Sequence, residues 1–354
     1  MLPLFAYIYG KIASLRNTLY DRGVFEAFDT GVRVISVGNI TAGGTGKTPL
    51  VAYIAGILAE RGETVCILTR GYGRKDAAKR VLVTDGKTIL TDAEHAGDEP
   101  FELANKLLGK AIIIADADRV SAAEWALRKF DVTTFLLDDG FQHRKVKRDL
   151  NIVCIDATDA FAEAEMLPAG RLRESLDGLR RADAVIITRS NLIGDISNLK
   201  LEISNLVSGV PVFMAENRLS GMIKLEEFHA KPQRSQSEES EESEEREDRK
   251  ALAFCAIGNP ESFFEQLRRE NVDVVGTRAF RDHHIYSQND LMEVEQKARE
   301  SGAAILLTTA KDAVKLSNLN FEIPVFVVEI EVKIQDSDEF SRLIQTSPQE
   351  SEFL

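Results

Sequence analysis

The stretch Gly38-Asn-Ile-Thr-Ala-Gly-Gly-Thr-Gly-Lys-Thr48 constrains this chain more than any other. It follows the apolar run 32–37 and precedes an apolar-periodic segment over 48–61, so it reads as a turn between a buried strand and a helix. In that setting successive backbone N–H groups converge on an anion, and the helix dipole favours negative charge at the same place. Thr41, Ala42, Gly43, Gly44, Thr45, Gly46, Lys47 and Thr48 are therefore expected to cradle a nucleotide triphosphate. Lys47 is expected at the β- and γ-phosphates and Thr48 on Mg²⁺. One departure is visible: the first glycine of the usual G-x-x-x-x-G-K-[ST] pattern is replaced by Thr41, and Gly43 and Gly44 restore the flexibility.

Further short apolar runs at 64–69, 111–115, 134–138, 151–156 and 184–188 read as strands. Helical segments at 98–108, 119–129 and 174–181 lie between several of them. Continuous apolar strands alternating with helices predict a parallel α/β sheet covered on both faces, of the P-loop NTPase kind. A second strand set at 251–257, 273–276, 304–308 and 325–329, with helices at 260–270, 287–301 and 311–317, predicts a smaller α/β domain. The expected division is 1–230, a linker or insertion at 231–250, and 251–354. Residues 235–249 hold eight acids and two bases, and so supply −6 of the formal net charge of −13. That segment has no apolar residue to bury and is expected to stay solvated. An acidic chain does not suit general nucleic-acid binding, which depends on neutralising phosphates. Cys66, Cys154 and Cys255 each sit in an apolar run, as reduced core thiols do.

The phosphate loop has an expected partner. Phe135-Leu-Leu-Asp138-Asp139 is an apolar strand ending in two carboxylates, the arrangement that holds Mg²⁺ or its water beside a phosphate loop. Gln142 and His143 follow at the same sheet edge, where open α/β sheets place ligands. Asp98 and Glu99 open a helix, where a carboxylate serves either as a favourable N-terminal charge or as a general base for an acceptor hydroxyl. Arg70, Tyr72, Arg119 and Arg171 lie in loops after strands or at helix starts and suit anionic substrate groups. Asp282-His283 offers a histidine able to orient a carboxylate. Ala42 stands where partitioning-type ATPases carry an extra lysine, and a guanine-reading Asn-Lys-x-Asp is absent, which favours transfer of phosphate over a switch. At the N-terminus, Phe5, Ile8, Ile12, Leu15 and Leu19 recur at helical spacing in a run too short to span a bilayer. The segment 2–20 fits either a membrane-lying helix or one packed on its own domain. It has no basic start and no small-residue cleavage site, so a signal peptide is not expected.

Taken in order, the set resembles the tetraacyldisaccharide 4'-kinase family of lipid A biosynthesis. The pieces are 38–49, Arg70-Gly-Tyr-Gly73, Ala96-Gly-Asp-Glu-Pro100, Asp138-Asp-Gly-Phe-Gln-His143, Leu167-Pro-Ala-Gly-Arg-Leu-Arg-Glu174, Asp282-His283 and Thr308-Thr-Ala-Lys-Asp312. The resemblance implies ATP-dependent phosphorylation of the 4'-hydroxyl of an acylated glucosamine disaccharide 1-phosphate at the cytoplasmic face of the inner membrane. It assigns the base to Asp98 with support from His283, and ATP and Mg²⁺ to Lys47, Thr48, Asp138 and Asp139, with Glu99 beside the metal. Arg70, Tyr72, Arg119, Gln142, His143 and Arg171 are then expected on the lipid substrate. A lipid in the bilayer tips helix 2–20 toward the membrane surface, and no protein partner is expected.

Overall fold

The computed structural model describes residues 2–161, 165–230 and 250–346. The expected acidic insertion lies outside the described residues. The chain opens with a helix, α1 (Leu2–Asp21), then enters a sheet through β1 (Arg33–Gly38) and β2 (Val65–Thr69). The antiparallel edge strand β3 (Val81–Thr84) and the strands β4 (Ala111–Ala115), β5 (Thr134–Asp138), β6 (Leu150–Asp156) and β7 (Ala184–Thr188) complete the first half. Apart from β3, these strands are parallel, and β2, β4, β5 and β7 are buried at every residue, as their unbroken apolar sequences require. Helices α2 (Lys47–Glu60), α3 (Ala93–Ala96), α4 (Asp98–Lys106), α5 (Arg119–Lys129) and α6 (Ser197–Leu206) cover the two faces. The predicted helix at 174–181 is a 3₁₀ turn over Leu176–Arg181.

A strand the sequence reading missed joins the halves. β8 (Val212–Lys224) pairs in parallel with β7 through its first residues. From Ala215 onward it pairs antiparallel with β12 (Val325–Ile334). Helix α7 (Leu225–Ala230) follows it. Beyond β12 lie β9 (Ala251–Cys255), β10 (Val274–Ala279) and β11 (Ile305–Thr309), parallel to one another and to β12, with α8 (Pro260–Arg269), α9 (Gln288–Ser301) and α10 (Ala310–Ala313). Among the described residues, twelve strands form one sheet in the order β10-β9-β11-β12-β8-β7-β6-β1-β5-β2-β4-β3.

This register sets the geometry of everything that follows. The first half attaches at the start of β8 and the second half near its end, where Val327 faces Ile223. The second half's strands run back toward the first, so the carboxyl ends of both parallel sets face each other. The stretch of β8 and β12 between the two attachments floors the space between them, and Asn217, Ser220 and Glu329 line it.

The chain also crosses back. Residues 334–344, expected in the second domain, instead belong to the core of the first half. Helix α11 (Ser337–Gln345) buries Phe340 and Ile344 against Phe213, Ala215 and the apolar face of α2. The reason is the length of β12, whose last residues reach past the cleft to pair with the start of β8. Phe340 is 0% exposed and meets Phe213 edge-on at 5.3 Å. Phe340→Ala is expected to cost about 3–5 kcal/mol. Urea unfolding checks this, with a smaller loss expected for Phe340→Leu.

Candidate active site

The facing carboxyl ends enclose a cleft of about 1910 Å³. One wall is the phosphate loop between β1 and α2. Its conformation is held from outside. Arg171 donates through Nε (2.9 Å) and Nη2 (2.7 Å) to the Ala42 carbonyl, and its own carbonyl accepts from Ala42 N at 2.7 Å. The same guanidinium pairs with Asp159. Arg189, just past β7, donates to the Gly44 carbonyl at 2.8 Å and pairs with Asp156. Thr188 Oγ1 donates to the Thr45 carbonyl at 2.9 Å. Three carbonyls of the loop are thus turned outward, as a loop whose N–H groups face an anion requires.

Asp138 and Asp139 end β5 directly beside this loop, because β5 is the parallel neighbour of β1. Asp139 accepts both oxygens' worth of hydrogen bonds from Arg173 Nη1 at 2.8 Å, and Lys47 Nζ stands 3.5 Å away. Burial alone would raise its pKa, but Lys47 and Arg173 outweigh burial and hold it well below the usual carboxylate range. Asp138 accepts from Thr69 Oγ1 at 3.0 Å. Burial, with Glu99 and Asp139 close by, pushes its carboxyl up. Arg119 is buried and donates to the Asp138 carbonyl at 3.3 Å.

The other wall begins at α4. Gly97 caps this helix at φ 94°, and a Cβ there would stand 2.8 Å from the Tyr72 carbonyl. The loops 70–73 and 96–100 therefore close on each other only because glycine stands between them. The next residue, Asp98, is not used as a helix cap. Its Oδ2 lies 3.2 Å from His283 Nδ1, contributed by the second half, and 3.5 Å from Lys315 Nζ. Burial would raise the Asp98 carboxyl, but the His283 hydrogen bond and Lys315 hold it below its ordinary value, so it stays ionised. Glu99 faces Lys311 at 3.3 Å, and Lys311 also reaches Asp282 at 3.1 Å and His283 Nε2 at 3.4 Å. The Tyr72 ring covers His283 at 5.0 Å between centroids.

Most of the residues singled out in the sequence meet here. Ala42 through Thr48, Arg70, Tyr72, Glu99, Arg119, Gln142, His143 and His283 line the cleft, together with Asp138 and Asp139. Thr41, Asp98 and Arg171 stand just outside its lining, Thr41 in a bridge to Leu172 and Asp98 beside His283. Arg70 is exposed and makes no hydrogen bond or ion pair among the described residues. Gln142 donates both to the Asn39 carbonyl and to Glu174, at 2.8 Å each, so its amide braces the loop. Burial, with Arg119 and Arg148 near, pushes the His143 imidazole down to about 4, which keeps it neutral. Lys315 and Arg189 were missed. Lys315 lies within the segment expected to be helical over 311–317, but the helix ends at Ala313 and Lys315 sits in the turn beyond it; the position after a carboxyl strand end was the only available signal for Arg189.

Known proteins share this arrangement. The family described as LpxK, tetraacyldisaccharide-1-P 4'-kinase, matches residues 1–349. The chain belongs to it. A tetraacyldisaccharide 4'-kinase of Halothermothrix orenii is 36% identical over 97% of this chain and 91% of its own length. One from Desulfotalea psychrophila is 36% identical over 95% and 93%. The crystal structure of LpxK from Aquifex aeolicus in complex with ATP superposes with a TM-score of 0.73 at 34% identity, over 96% of both chains. The reaction is that of the family, a 4'-phosphorylation of a tetraacyldisaccharide 1-phosphate in lipid A biosynthesis.

Within the family frame, the role of Arg171 separates cleanly by kinetics. Its guanidinium holds the phosphate loop, so Arg171→Ala is expected to raise the KM for ATP about tenfold, the value of one lost charge-assisted contact. The KM for the lipid is expected to change less than twofold. Steady-state kinetics with each substrate varied in turn checks this, and the opposite split would place Arg171 on the lipid.

Proposed function

We propose that the two walls divide the 4'-kinase reaction between them, with ATP on the loop 41–48 and the acceptor hydroxyl at Asp98. The observation that carries this reading is the contact of Asp98 with His283, which joins the two halves at the edge of the cleft that the phosphate loop also lines. The γ-phosphoryl then lies between the loop and the carboxylate. The 4'-oxygen forms its bond to the γ-phosphorus as the bond to the β–γ bridging oxygen breaks, its proton passes to Asp98, and ADP leaves. An ionised, positioned carboxylate suits this step, because a loose phosphoryl-transfer transition state needs alignment and late proton acceptance. His283 meets Asp98 through Nδ1 and Lys311 through Nε2, so contacts on both ring nitrogens orient the imidazole against the carboxylate.

The residues at the end of β5 fit Mg²⁺. Asp138, Asp139 and the Thr48 hydroxyl are hard oxygen donors, and the crowding of Asp138 by Glu99 and Asp139 is relieved by a divalent charge. No group of three or more His, Cys, Asp or Glu among the described residues makes a metal site by itself. When bound, Mg²⁺ neutralises charge on the β- and γ-phosphate oxygens. Glu99, engaged by Lys311, is the outlying member of the expected set.

The lipid half of the reading rests on α1. Leu4, Phe5, Ile12 and Leu15 are each more than half exposed, and Ala6 alone is buried along the helix. No helix among the described residues is long and apolar enough to cross a membrane. A surface-lying helix accounts for both facts, and it places the cleft, which Tyr9 lines, beside the lipid headgroups.

Two outcomes test the proposal. With γ-labelled ATP, Mg²⁺ and a detergent-dispersed acylated disaccharide 1-phosphate, Asp98→Asn is expected to lower kcat by about 10²–10⁴ with ATP binding unchanged. Turnover near that of the unaltered protein would leave Asp98 a structural charge. Replacing Leu4, Phe5 and Ile12 together by Ser is expected to lower partitioning onto lipid vesicles by at least about 10², since each buried apolar side chain contributes about 1.5–3 kcal/mol. Sedimentation with vesicles measures it.

A further inference from the structure

Besides His283, a buried lysine from the far half stands beside the proposed base. Lys315 follows α10, between the buried side chains of Val314 and Leu316, and its own side chain is 8% exposed. Its ammonium lies 3.0 Å from Asp312 Oδ1, 5.3 Å above the Tyr286 ring, and 3.5 Å from Asp98 Oδ2. Asp312 is itself immobile. It is 0% exposed, and its other oxygen accepts from Ala256 N at 3.0 Å and Thr309 Oγ1 at 2.7 Å. The Lys315 ammonium is thus buried among two carboxylates and a ring, at ion-pair distance from Asp312 and Asp98 rather than hydrogen-bonded to them.

The stereochemistry at Asp98 is specific. His283 and Lys315 both approach the same oxygen, Oδ2. Oδ1 accepts no hydrogen bond among the described residues. Two partners on one oxygen fix the rotation of the carboxylate and leave the other oxygen available for a substrate proton. Lys311, four residues earlier, makes the parallel contact to Glu99, so a single turn of the second half grips both carboxylates that open α4.

We propose that Lys315 is a positioning residue for the phosphoryl transfer, pinning Asp98 Oδ2 so that Oδ1 receives the proton of the 4'-hydroxyl. This rests on Asp98 being the base, and it adds a second, charged support to that of His283. Lys315 touches neither ATP nor the acceptor in this arrangement, and its effect passes wholly through Asp98.

A double-mutant cycle tests it. Lys315→Met is expected to lower kcat about 10²-fold, the scale for misplacing a reacting group by an ångström, with the KM for ATP and for the lipid within twofold. Lys315→Arg, which keeps the charge, is expected to recover most of that loss. In an Asp98→Asn background, Lys315→Met is expected to lower kcat no further. An equal loss in both backgrounds would overturn the proposal while leaving Asp98 as the base. Normal kcat in Asp98→Asn alone would instead overturn the reading of Asp98, whatever Lys315 does. ATP binding by calorimetry reports whether each variant is folded, and Lys315→Gln replaces the Met variant in the cycle if the latter is not.

Discussion

The antiparallel pairing of β8 with β12 is the constraint from which the rest of this molecule follows. Parallel α/β sheets present ligands at the carboxyl ends of their strands. Two such sheets placed side by side in one direction would offer two separate edges. Here the strand direction reverses at β12, and the length of β8 displaces the second set along it. The two carboxyl edges therefore confront each other over a short stretch of two-stranded ribbon. One edge carries the phosphate loop, the other the Asp282-His283 turn, and a bisubstrate reaction needs that opposition. The return of α11 into the first core fastens one end of β12, so the ribbon is held in both halves.

Charge is arranged to suit that opposition. On the wall that carries the loop 41–48, arginines 171 and 189 bind loop carbonyls and fix the direction in which they point. On the wall that begins at α4, the carboxylates of that helix meet lysines 311 and 315. Contacts between the walls are close: a Cβ on Gly258 would stand 2.8 Å from Gly44 N, and Asn259 donates to Asp156 at 3.2 Å. These contacts bring the second half against the phosphate loop itself.

Much of this was legible in the sequence because it is written locally. Unbroken apolar runs such as Ile112-Ile-Ile114 announce fully buried strands, and a glycine-rich turn between strand and helix announces a phosphate site. The ordered motifs then narrowed the chemistry. What escaped was written over long separations. β8 reads Val-Phe-Met-Ala-Glu-Asn-Arg-Leu-Ser-Gly-Met-Ile-Lys, half-buried and interrupted by polar residues, so no apolar run marks it. Lys315 is unremarkable until Asp98, more than two hundred positions earlier, is beside it. Arg171 matched a substrate-facing motif residue, yet its side chain turns into the loop carbonyl of Ala42. A motif marks the residue that matters but not the direction its side chain takes.

Backbone strain falls where these long-range contacts act. Among the described residues, five non-glycine positions have positive φ, and they include Asp139 (51°) and His283 (60°), one on each wall. Such conformations persist only where surrounding contacts impose them. Asp139 is imposed by Arg173 and Lys47, and His283 by Asp98, Lys311 and the Tyr72 ring. The first-wall strain is also tied to α1. Arg16 donates to the Gln142 carbonyl at 2.9 Å and Asn17 to Glu174 at 2.9 Å, and Glu174 in turn holds the Gln142 amide. The last turns of the exposed apolar helix are thereby bonded to the segment that follows Asp139. A helix joined through a flexible tether would bring the enzyme to a membrane without orienting it. One bonded to the loop that follows Asp139 holds its exposed apolar face in a fixed relation to the cleft, so the same bonds would orient the cleft toward an acylated acceptor if α1 lies on a membrane as proposed.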